Sequence, residues 1–178
     1  MANPGDDSAL IVPVLLPAPL DELRRRSATE QVRGLPPHVT LLYPFAPPEE
    51  LDHSFRRKVG EIVLGHEAFS CRLAHRREWP GVLYASVEPE STFASLHADL
   101  LEAFPEFPSH RGEFDFVPHV TIVEGPSASS PHLANHPAWE SLPVAIDVTV
   151  AHLVVRGADG WRVKWVFDLR PASRRGGS

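Results

Sequence analysis

The chain has little of what would tie it to a membrane, an oxidising compartment or an extended nucleic acid. A single cysteine, Cys71, stands among 178 residues, so an internal disulfide is excluded. The longest apolar stretch, 9–20, is shorter than the roughly 20 residues that span a bilayer, and prolines interrupt it. The N-terminal residues carry neither the basic nor the apolar region of a secretory signal. We therefore expect a cytoplasmic protein with no membrane segment.

An excess of basic residues is also missing. The chain carries 17 basic and 23 acidic side chains, whereas a protein that coats a long nucleic acid needs a basic excess to displace counterions. A nucleic-acid role would therefore involve an end or a small fragment. Apolar residues make up 43% of the chain, enough for a substantial core. We expect one domain over 1–170 and a disordered tail over 171–178.

One tetrapeptide occurs twice: Pro37-His38-Val39-Thr40 returns as Pro118-His119-Val120-Thr121, each time followed by apolar residues. Alternation of polar and apolar positions predicts that both copies are short strands. Residues i and i+2 of a strand share a face, so each copy presents one imidazole and one hydroxyl, roughly 7 Å apart. Copies related by a two-fold would bring two His/Thr pairs into one cleft, an arrangement suited to acid/base chemistry on a phosphoester.

The rest of the chain alternates between strand and helix patterns. Several neighbouring strands are joined by short turns, so we expect an α+β fold with a largely antiparallel sheet. The final predicted element is a hairpin across a turn at 157–160. Period-2 alternation predicts strands over 8–16, 69–73, 82–87, 144–150 and 161–169, and amphipathic spacing predicts helices over 20–29, 47–63 and 91–104.

Each motif also has a purely structural interpretation, in which the histidine packs in a sheet and the threonine serves β-propensity. A single copy favours that interpretation, whereas the duplication favours a functional pair. The other eight histidines have no matching pattern and are interpreted as surface or boundary residues. Of these, His132 and His136 have i, i+4 spacing but lack the glutamate and further ligands of a zinc hydrolase. We therefore predict no metal site and no cofactor.

The segments His38-Val39-Thr40-Leu41 and His119-Val120-Thr121-Ile122 match an H-h-[T/S]-h pattern, in which h is apolar. The stretches 36–45, 80–84 and 116–121 supply similar context, and the two histidines lie about 80 residues apart. On these residues the chain resembles the two-histidine (2H) phosphoesterase superfamily, in particular bacterial proteins of the 2′-5′ RNA ligase and cyclic phosphodiesterase branch. The resemblance covers nearly the whole chain.

The resemblance implies a bilobal α+β fold, in which two pseudo-symmetric antiparallel lobes with flanking helices enclose a central cleft. It also implies metal-free hydrolysis of 2′,3′-cyclic phosphates on RNA ends or small nucleotides. Carried over by position, His38 and His119 are the catalytic acid/base pair, and Thr40 and Thr121 bind the phosphate oxygens. We further expect a monomer.

Two other functions remain open at this point. Reversible 2′-5′ RNA ligation, or cleavage of 2′-5′ linkages, would use the same site. A non-catalytic module would use the cleft to bind the terminal phosphates of RNA. Pure binding does not require two titrating groups, and this favours an enzyme.

Residues near the motifs have two interpretations each. Trp79 and Tyr84 can stack on a base or serve turn and core packing. Arg33 and Arg111, in loops before the two motifs, can screen phosphate charge or lie in solvent. Tyr43 is in phase with the core-facing residues of its strand, so it is predicted to lie outside the site.

Overall fold

The fold is an antiparallel sheet of eight strands with helices packed against it. The structure, a computed structural model, describes residues 8–173 apart from the side chains of Gln31, Ser109 and Arg111. Most of the tail predicted over 171–178 lies outside the described residues. No helix in the described part of the chain is long and apolar enough to cross a membrane.

The elements alternate along the chain much as the patterns predict. Short 3₁₀ turns, including Pro48–Glu50 and Ser109–Gly112, lie in the connections. The strands are β1 (Ser8–Pro13), β2 (His38–Leu42), β3 (Phe69–Trp79), β4 (Val82–Glu88), β5 (His119–Glu124), β6 (Val144–Val148), β7 (Val150–Gly157) and β8 (Gly160–Asp168). The helices are α1 (Ala18–Ser27), α2 (His53–Gly65), α3 (Ser91–Ala103) and α4 (Pro131–Ala134).

The sheet consists of two halves that meet at one residue pair. In the strand order β6-β3-β4-β5-β2-β1-β7-β8, Val39 of β2 pairs with Val120 of β5 at the centre. The middle of the chain, 69–148, forms the half β6-β3-β4-β5, and the two ends of the chain together form the half β2-β1-β7-β8. Each motif strand has an antiparallel neighbour on its outer side, β4 for β5 and β1 for β2. The expected α+β fold with two pseudo-symmetric antiparallel halves is confirmed.

The helices cover the face of the sheet that lies opposite the motif histidines. The central valines of both motifs are fully buried on that face, together with apolar residues spaced three or four apart on the helices. This shared core fixes the two motif strands against the same set of helices. The helical residues in it are Leu20 and Leu23 of α1, Val59 and Val63 of α2, and Phe93, Leu96 and Leu100 of α3.

The same backbone irregularity occurs in both motif strands. On β2, Leu41 is an extra residue between Thr40 and Leu42, whose partners on β1 are consecutive. On β5, Ile122 is the extra residue after Thr121, at the same place in the second motif. The fourth residue of each H-V-T-h segment is therefore a β-bulge, and the duplication extends from the sequence to the backbone.

The bulge in β2 corrects the prediction for the residues after the first motif. Regular alternation would place Leu42 on the face of His38 and Tyr43 in the main core. Instead, Leu42 is fully buried in the main core and Tyr43 lies on the face of His38. The extra residue moves the alternation by one position, which reverses the faces of Leu42 and Tyr43.

The C-terminal hairpin also differs from the prediction. The run 144–150 is not one strand, because β6 ends at Val148 and pairs with β3, whereas β7 begins at Val150 and pairs with β1 and β8. The buried positions are even-numbered in β6 and odd-numbered over the first part of β7. The buried positions of the two strands therefore differ by one residue across the break. The sequence does not reveal this break, because apolar β-branched residues occupy every second position through it.

Helix α2 begins later than predicted. The residues Pro48–Glu50 form a 3₁₀ turn, and the helix starts at His53. The carboxylate of Asp52 accepts a hydrogen bond from the backbone N–H of Phe55 at 2.8 Å. An aspartate in that position satisfies a backbone donor that the first turn leaves unpaired, and this fixes the start of the helix more strongly than the preceding prolines do.

Candidate active site

The two His/Thr pairs line one cavity on the open face of the sheet. His38, Thr40, His119 and Thr121 all contribute to this cavity, whose volume is about 870 Å³. The motif strands run antiparallel with their central valines opposite each other. Each histidine therefore lies across the seam from the threonine of the other motif, and the two imidazoles occupy diagonal corners of the group.

Each motif histidine is held by a carbonyl two residues upstream. His38 Nδ1 lies 2.8 Å from the carbonyl oxygen of Pro36, and His119 Nδ1 lies 2.7 Å from that of Val117. A carbonyl oxygen only accepts hydrogen bonds, so Nδ1 carries the proton in both rings. In the neutral form the lone pair is then on Nε2, which is the atom able to take or return a proton in the cavity.

Burial makes both imidazoles weaker bases than a free histidine. It lowers the pKa of His38 to about 4; the Pro36 carbonyl opposes this effect, and the charges of Arg24 and His119 add to it. Burial also lowers the pKa of His119 from its ordinary value of 6.5, with His110 adding to the effect. Removing a group from water disfavours its charged form, so both rings favour the neutral state.

An aromatic pair from the β3–β4 hairpin lies beside His119. The rings of Trp79 and Tyr84 stack with their centroids 4.0 Å apart. His119 meets both rings edge-on, with centroid distances of 4.7 Å to Trp79 and 5.2 Å to Tyr84. Trp79 lines the cavity and is 39% exposed, whereas Tyr84 is buried. Tyr84, which does not line the cavity, therefore packs against Trp79 and His119, and Trp79 keeps accessible ring surface.

Comparison with known sequences places this geometry in a family. The sequence profile of the 2'-5' RNA ligase superfamily matches residues 12–160, which include both motifs and most of the chain. The chain belongs to the 2'-5' RNA ligase superfamily. Among curated proteins, the chain is similar to Putative phosphoesterase GK0864 of Geobacillus kaustophilus (strain HTA426), with 29% identity over 91 residues. That match spans 49% of this chain and about half, 51%, of the relative.

Solved structures share the fold of this superfamily member. TT0787 of Thermus thermophilus superposes with a TM-score of 0.64 at 22% identity, over 94% of this chain and 100% of that one. LigT of E. coli, crystallised with 3'-AMP, superposes with a TM-score of 0.58 at 16% identity, over 92% of this chain and 98% of that one. Identities this low show a common fold.

Several residues in the cavity wall of this superfamily member were not predicted from the sequence to lie there. Tyr43 and Trp161 meet edge-on at 6.1 Å on the wall beside the first motif, and Arg24 and Arg156 also line the cavity. For Arg24 a signal existed: it lies four residues after the buried Leu20, so it shares the inward face of its helix. Trp161 and Arg156 are brought in by the β7–β8 hairpin, whose place in the sheet could not be read from local alternation.

The two loop arginines are not assigned to the cavity. Arg33 forms an ion pair with Glu30, and more than half of its side chain is exposed, in agreement with a solvated loop residue. The side chain of Arg111 lies outside the described residues, so its two interpretations stay predictions.

The described residues of this superfamily member contain no group of three His, Cys, Asp or Glu side chains that could hold a metal ion. The rings of His132 and His136 lie near each other, with centroids 5.8 Å apart. However, Nδ1 of His136 accepts a hydrogen bond from the backbone N–H of Ala138.

Proposed function

We propose that the protein is a metal-independent phosphodiesterase that hydrolyses 2′,3′-cyclic phosphates of RNA ends or small nucleotides by two-histidine acid/base catalysis. One observation carries the proposal: two histidines line one cavity from pseudo-symmetric strands, each with Nδ1 bound to a carbonyl and Nε2 basic. A module that only bound phosphate would gain nothing from two neutral imidazoles.

In the proposed reaction one neutral imidazole takes a proton from water as the water oxygen attacks phosphorus. The bond from phosphorus to one ribose oxygen breaks, and that oxygen receives a proton from the other, protonated imidazole. The product is a phosphomonoester beside a free hydroxyl. The diagonal placement of the imidazoles suits in-line displacement, and the hydroxyls of Thr40 and Thr121 donate to the nonbridging oxygens as charge develops there.

The direct test measures products and rates with defined substrates. Purified protein would be incubated with 2′,3′-cyclic nucleotides and with RNA ending in a cyclic phosphate. His38→Ala and His119→Ala should each lower turnover by at least roughly a hundredfold, and the double variant should be little worse than either single one. His75→Ala is the matched control, because that side chain is 60% exposed and outside the cavity wall. Near wild-type turnover in either single variant, with an unchanged circular dichroism spectrum, would refute the mechanism.

A nucleotide substrate is supported by the accessible ring of Trp79 and by LigT, whose structure contains 3'-AMP. Stacking of a base on an aromatic ring contributes about 1–3 kcal/mol. Trp79→Ala should therefore weaken binding of a cyclic nucleotide about 5- to 150-fold, and Trp79→Phe should retain most of the affinity. A cyclic phosphate without a base, such as glycerol 1,2-cyclic phosphate, should bind both variants equally. Equal losses with both ligands would contradict base stacking.

Cleavage or reversible ligation of 2′-5′ linkages is the second candidate, and the superfamily match favours it. The same acid/base pair would act. In ligation a ribose 5′-hydroxyl would attack the cyclic phosphate in place of water, and in cleavage the neighbouring 3′-hydroxyl would attack phosphorus while the 5′-oxygen leaves with a proton. A 2′-5′-linked dinucleotide assayed beside the cyclic nucleotide would separate the two functions. Faster conversion of the dinucleotide would make the 2′-5′ linkage the principal target.

The independence from metal, the monomeric state and the cytoplasmic location stay predictions. Turnover should survive chelation with EDTA, because two imidazoles can supply both proton transfers. Loss of activity that zinc, manganese or magnesium restores would overturn that prediction. Sedimentation equilibrium would test the monomeric state.

A further inference from the structure

Arg24 bonds to the same oxygen atom as the first catalytic histidine. It lies in the last turn of α1 and lines the cavity. Its Nη2 donates to the carbonyl oxygens of Leu35 at 3.0 Å and Pro36 at 3.1 Å. The Pro36 oxygen also accepts from His38 Nδ1 at 2.8 Å, so guanidinium and imidazole nitrogens lie within about 6 Å of each other.

The loop that carries these carbonyls is fixed at its other end. Gly34 has a φ of 87° and lies against β8, where an added Cβ would overlap the backbone oxygen of Trp161. The backbone N–H of Trp161 in turn donates to the carbonyl of Arg33 at 2.8 Å. Held between these contacts and Arg24, the Pro36 oxygen is a defined acceptor that orients the ring of His38.

The guanidinium also acts on the charge of His38. An arginine stays protonated at any pH of interest, so its positive charge opposes a second positive charge on the imidazole. The second motif differs, because His119 bonds to Val117 and the neighbour that acts on its pKa is another titratable histidine, His110. Among the described side chains, no arginine shares the Val117 oxygen. The two histidines therefore have matching backbones and unequal electrostatic surroundings.

We infer that Arg24 is a positioning residue that fixes the Pro36 carbonyl and adds to the effect of burial in favouring neutral His38, so that His38 acts as the general base and His119 as the general acid. The assignment of base and acid rests on the proposed function. The effect of Arg24 on His38 does not, because it is a property of the free protein.

The other charged groups near His38 do not remove the positive charge of Arg24 that acts on His38. Asp21 and Glu124 act on Arg24, and the carboxylate of Glu124 also accepts a hydrogen bond from Thr29. Neither acid removes the proton of a guanidinium. Besides Arg24 and His38, the titratable groups that line the cavity are Tyr43 after β2, Arg156 of β7, His119 and Glu124 of β5, and His110 and Asp115 of the segment before β5.

The first experiment follows the titration of each histidine in the free protein by NMR of the imidazole Cε1–H groups. At a separation of about 6 Å and an effective dielectric of about 20 to 80, removal of one positive charge raises the midpoint by about 0.5 to 2 pH units. Arg24→Met and Arg24→Gln should therefore raise the midpoint of His38 by that amount and leave His119 nearly unchanged. Arg24→Lys should keep the midpoint low, because the charge remains.

Arg25→Met is the matched control on the same helix, since Arg25 is exposed and pairs with Asp21. It should leave the midpoint of His38 unchanged. Glutamine at position 24 keeps a donor for the Pro36 oxygen, so this variant separates loss of charge from disruption of the loop. Two results would overturn the role of Arg24. One is an unchanged titration midpoint of His38 in folded Arg24→Gln and Arg24→Met, and the other is an equal change of that midpoint in Arg25→Met.

The second experiment assigns base and acid with a cyclic nucleotide whose leaving oxygen is replaced by sulfur. A thiolate departs without a proton, so the acid becomes dispensable and the base does not. His119→Ala should regain turnover close to that of the wild type with this substrate, whereas His38→Ala should stay inactive. Rescue of His38→Ala, or of neither variant, overturns the assignment. Absence of wild-type turnover on the ordinary cyclic nucleotide would instead refute the proposed function, while the NMR result stands by itself.

Discussion

The pH dependence of catalytic efficiency is expected to be displaced to the acid side of an ordinary histidine pair. kcat/KM reports the free enzyme, which needs one imidazole neutral and the other protonated. As the pH falls through the pKa of His38, about 4, the base becomes protonated and efficiency falls. As the pH rises through the pKa of His119, which lies below 6.5, the acid is lost and efficiency falls again. The maximum should therefore lie between these two values.

The size of the loss in kcat/KM at neutral pH follows from the pKa of the general acid, above which efficiency falls. Above the pKa of the acid, each pH unit removes nine tenths of the protonated form, so kcat/KM at pH 7.5 should be no more than about one tenth of its maximum. kcat should reach its maximum at a higher pH than kcat/KM, because a bound phosphate anion stabilises both imidazolium ions.

The assay is initial-rate hydrolysis of a 2′,3′-cyclic nucleotide from pH 3.5 to 8.5 at constant ionic strength. Circular dichroism at each pH provides the control for acid unfolding. A kcat/KM that stays constant between pH 6 and 8 would show that burial does not lower the pKa of His119 in solution. A fall of kcat/KM that already begins near pH 6 on acidification, with the protein still folded, would contradict the electrostatic account of His38.

Three further outcomes are expected. Thr40→Val and Thr121→Val should each lower kcat about tenfold to a hundredfold, whereas Thr→Ser at either site and Thr149→Val, an exposed control, should stay near the wild type; wild-type kinetics in the valine variants would limit these threonines to the sheet. The free energy of unfolding should fall by about 2 to 3 kcal/mol from pH 7.5 to 4.5 through His38, because its folded pKa of about 4 lies below its unfolded value and the unfolded chain takes up the proton first. In urea denaturation, His38→Gln should lack this part of the loss. Affinity for an RNA with a cyclic-phosphate end should depend weakly on salt, with a log–log slope no steeper than about -1.5, because two arginines line the cavity; a much steeper slope would indicate an extended RNA track.

The sequence predicts the strands and the paired motifs because their signals are local. A period-2 pattern and a repeated tetrapeptide need only a few neighbouring residues, and both copies lie where this reasoning places them. The face of Tyr43 could not be predicted in this way. It depends on the bulge at Leu41, which exists only because two strands pair with unequal numbers of residues.

The position of Arg24 in the site shows a second kind of limit. Three arginines follow one another at 24–26, and two of them, Arg25 and Arg26, form exposed ion pairs along the helix. The spacing of four residues places Arg24 on the helix face of Leu20, but only the packing of α1 shows that Arg24 reaches the cavity. Similarly, the edge positions of β6 and β8 follow from pairing between distant segments, about which local alternation says nothing.

The interleaved order of the strands has a consequence for the time at which the cleft can form during synthesis. The half that carries His119 is built from the continuous segment 69–148, so it can pair its strands before the chain is finished. The half that carries His38 leaves the ribosome first but must wait for β7, the neighbour of β1, which is made after every residue of both motifs. A chain ended after Val148 would thus contain both histidines, but β1, the outer neighbour of the strand that carries His38, would be an unpaired edge. Catalytic competence should appear only when the last hairpin has been added.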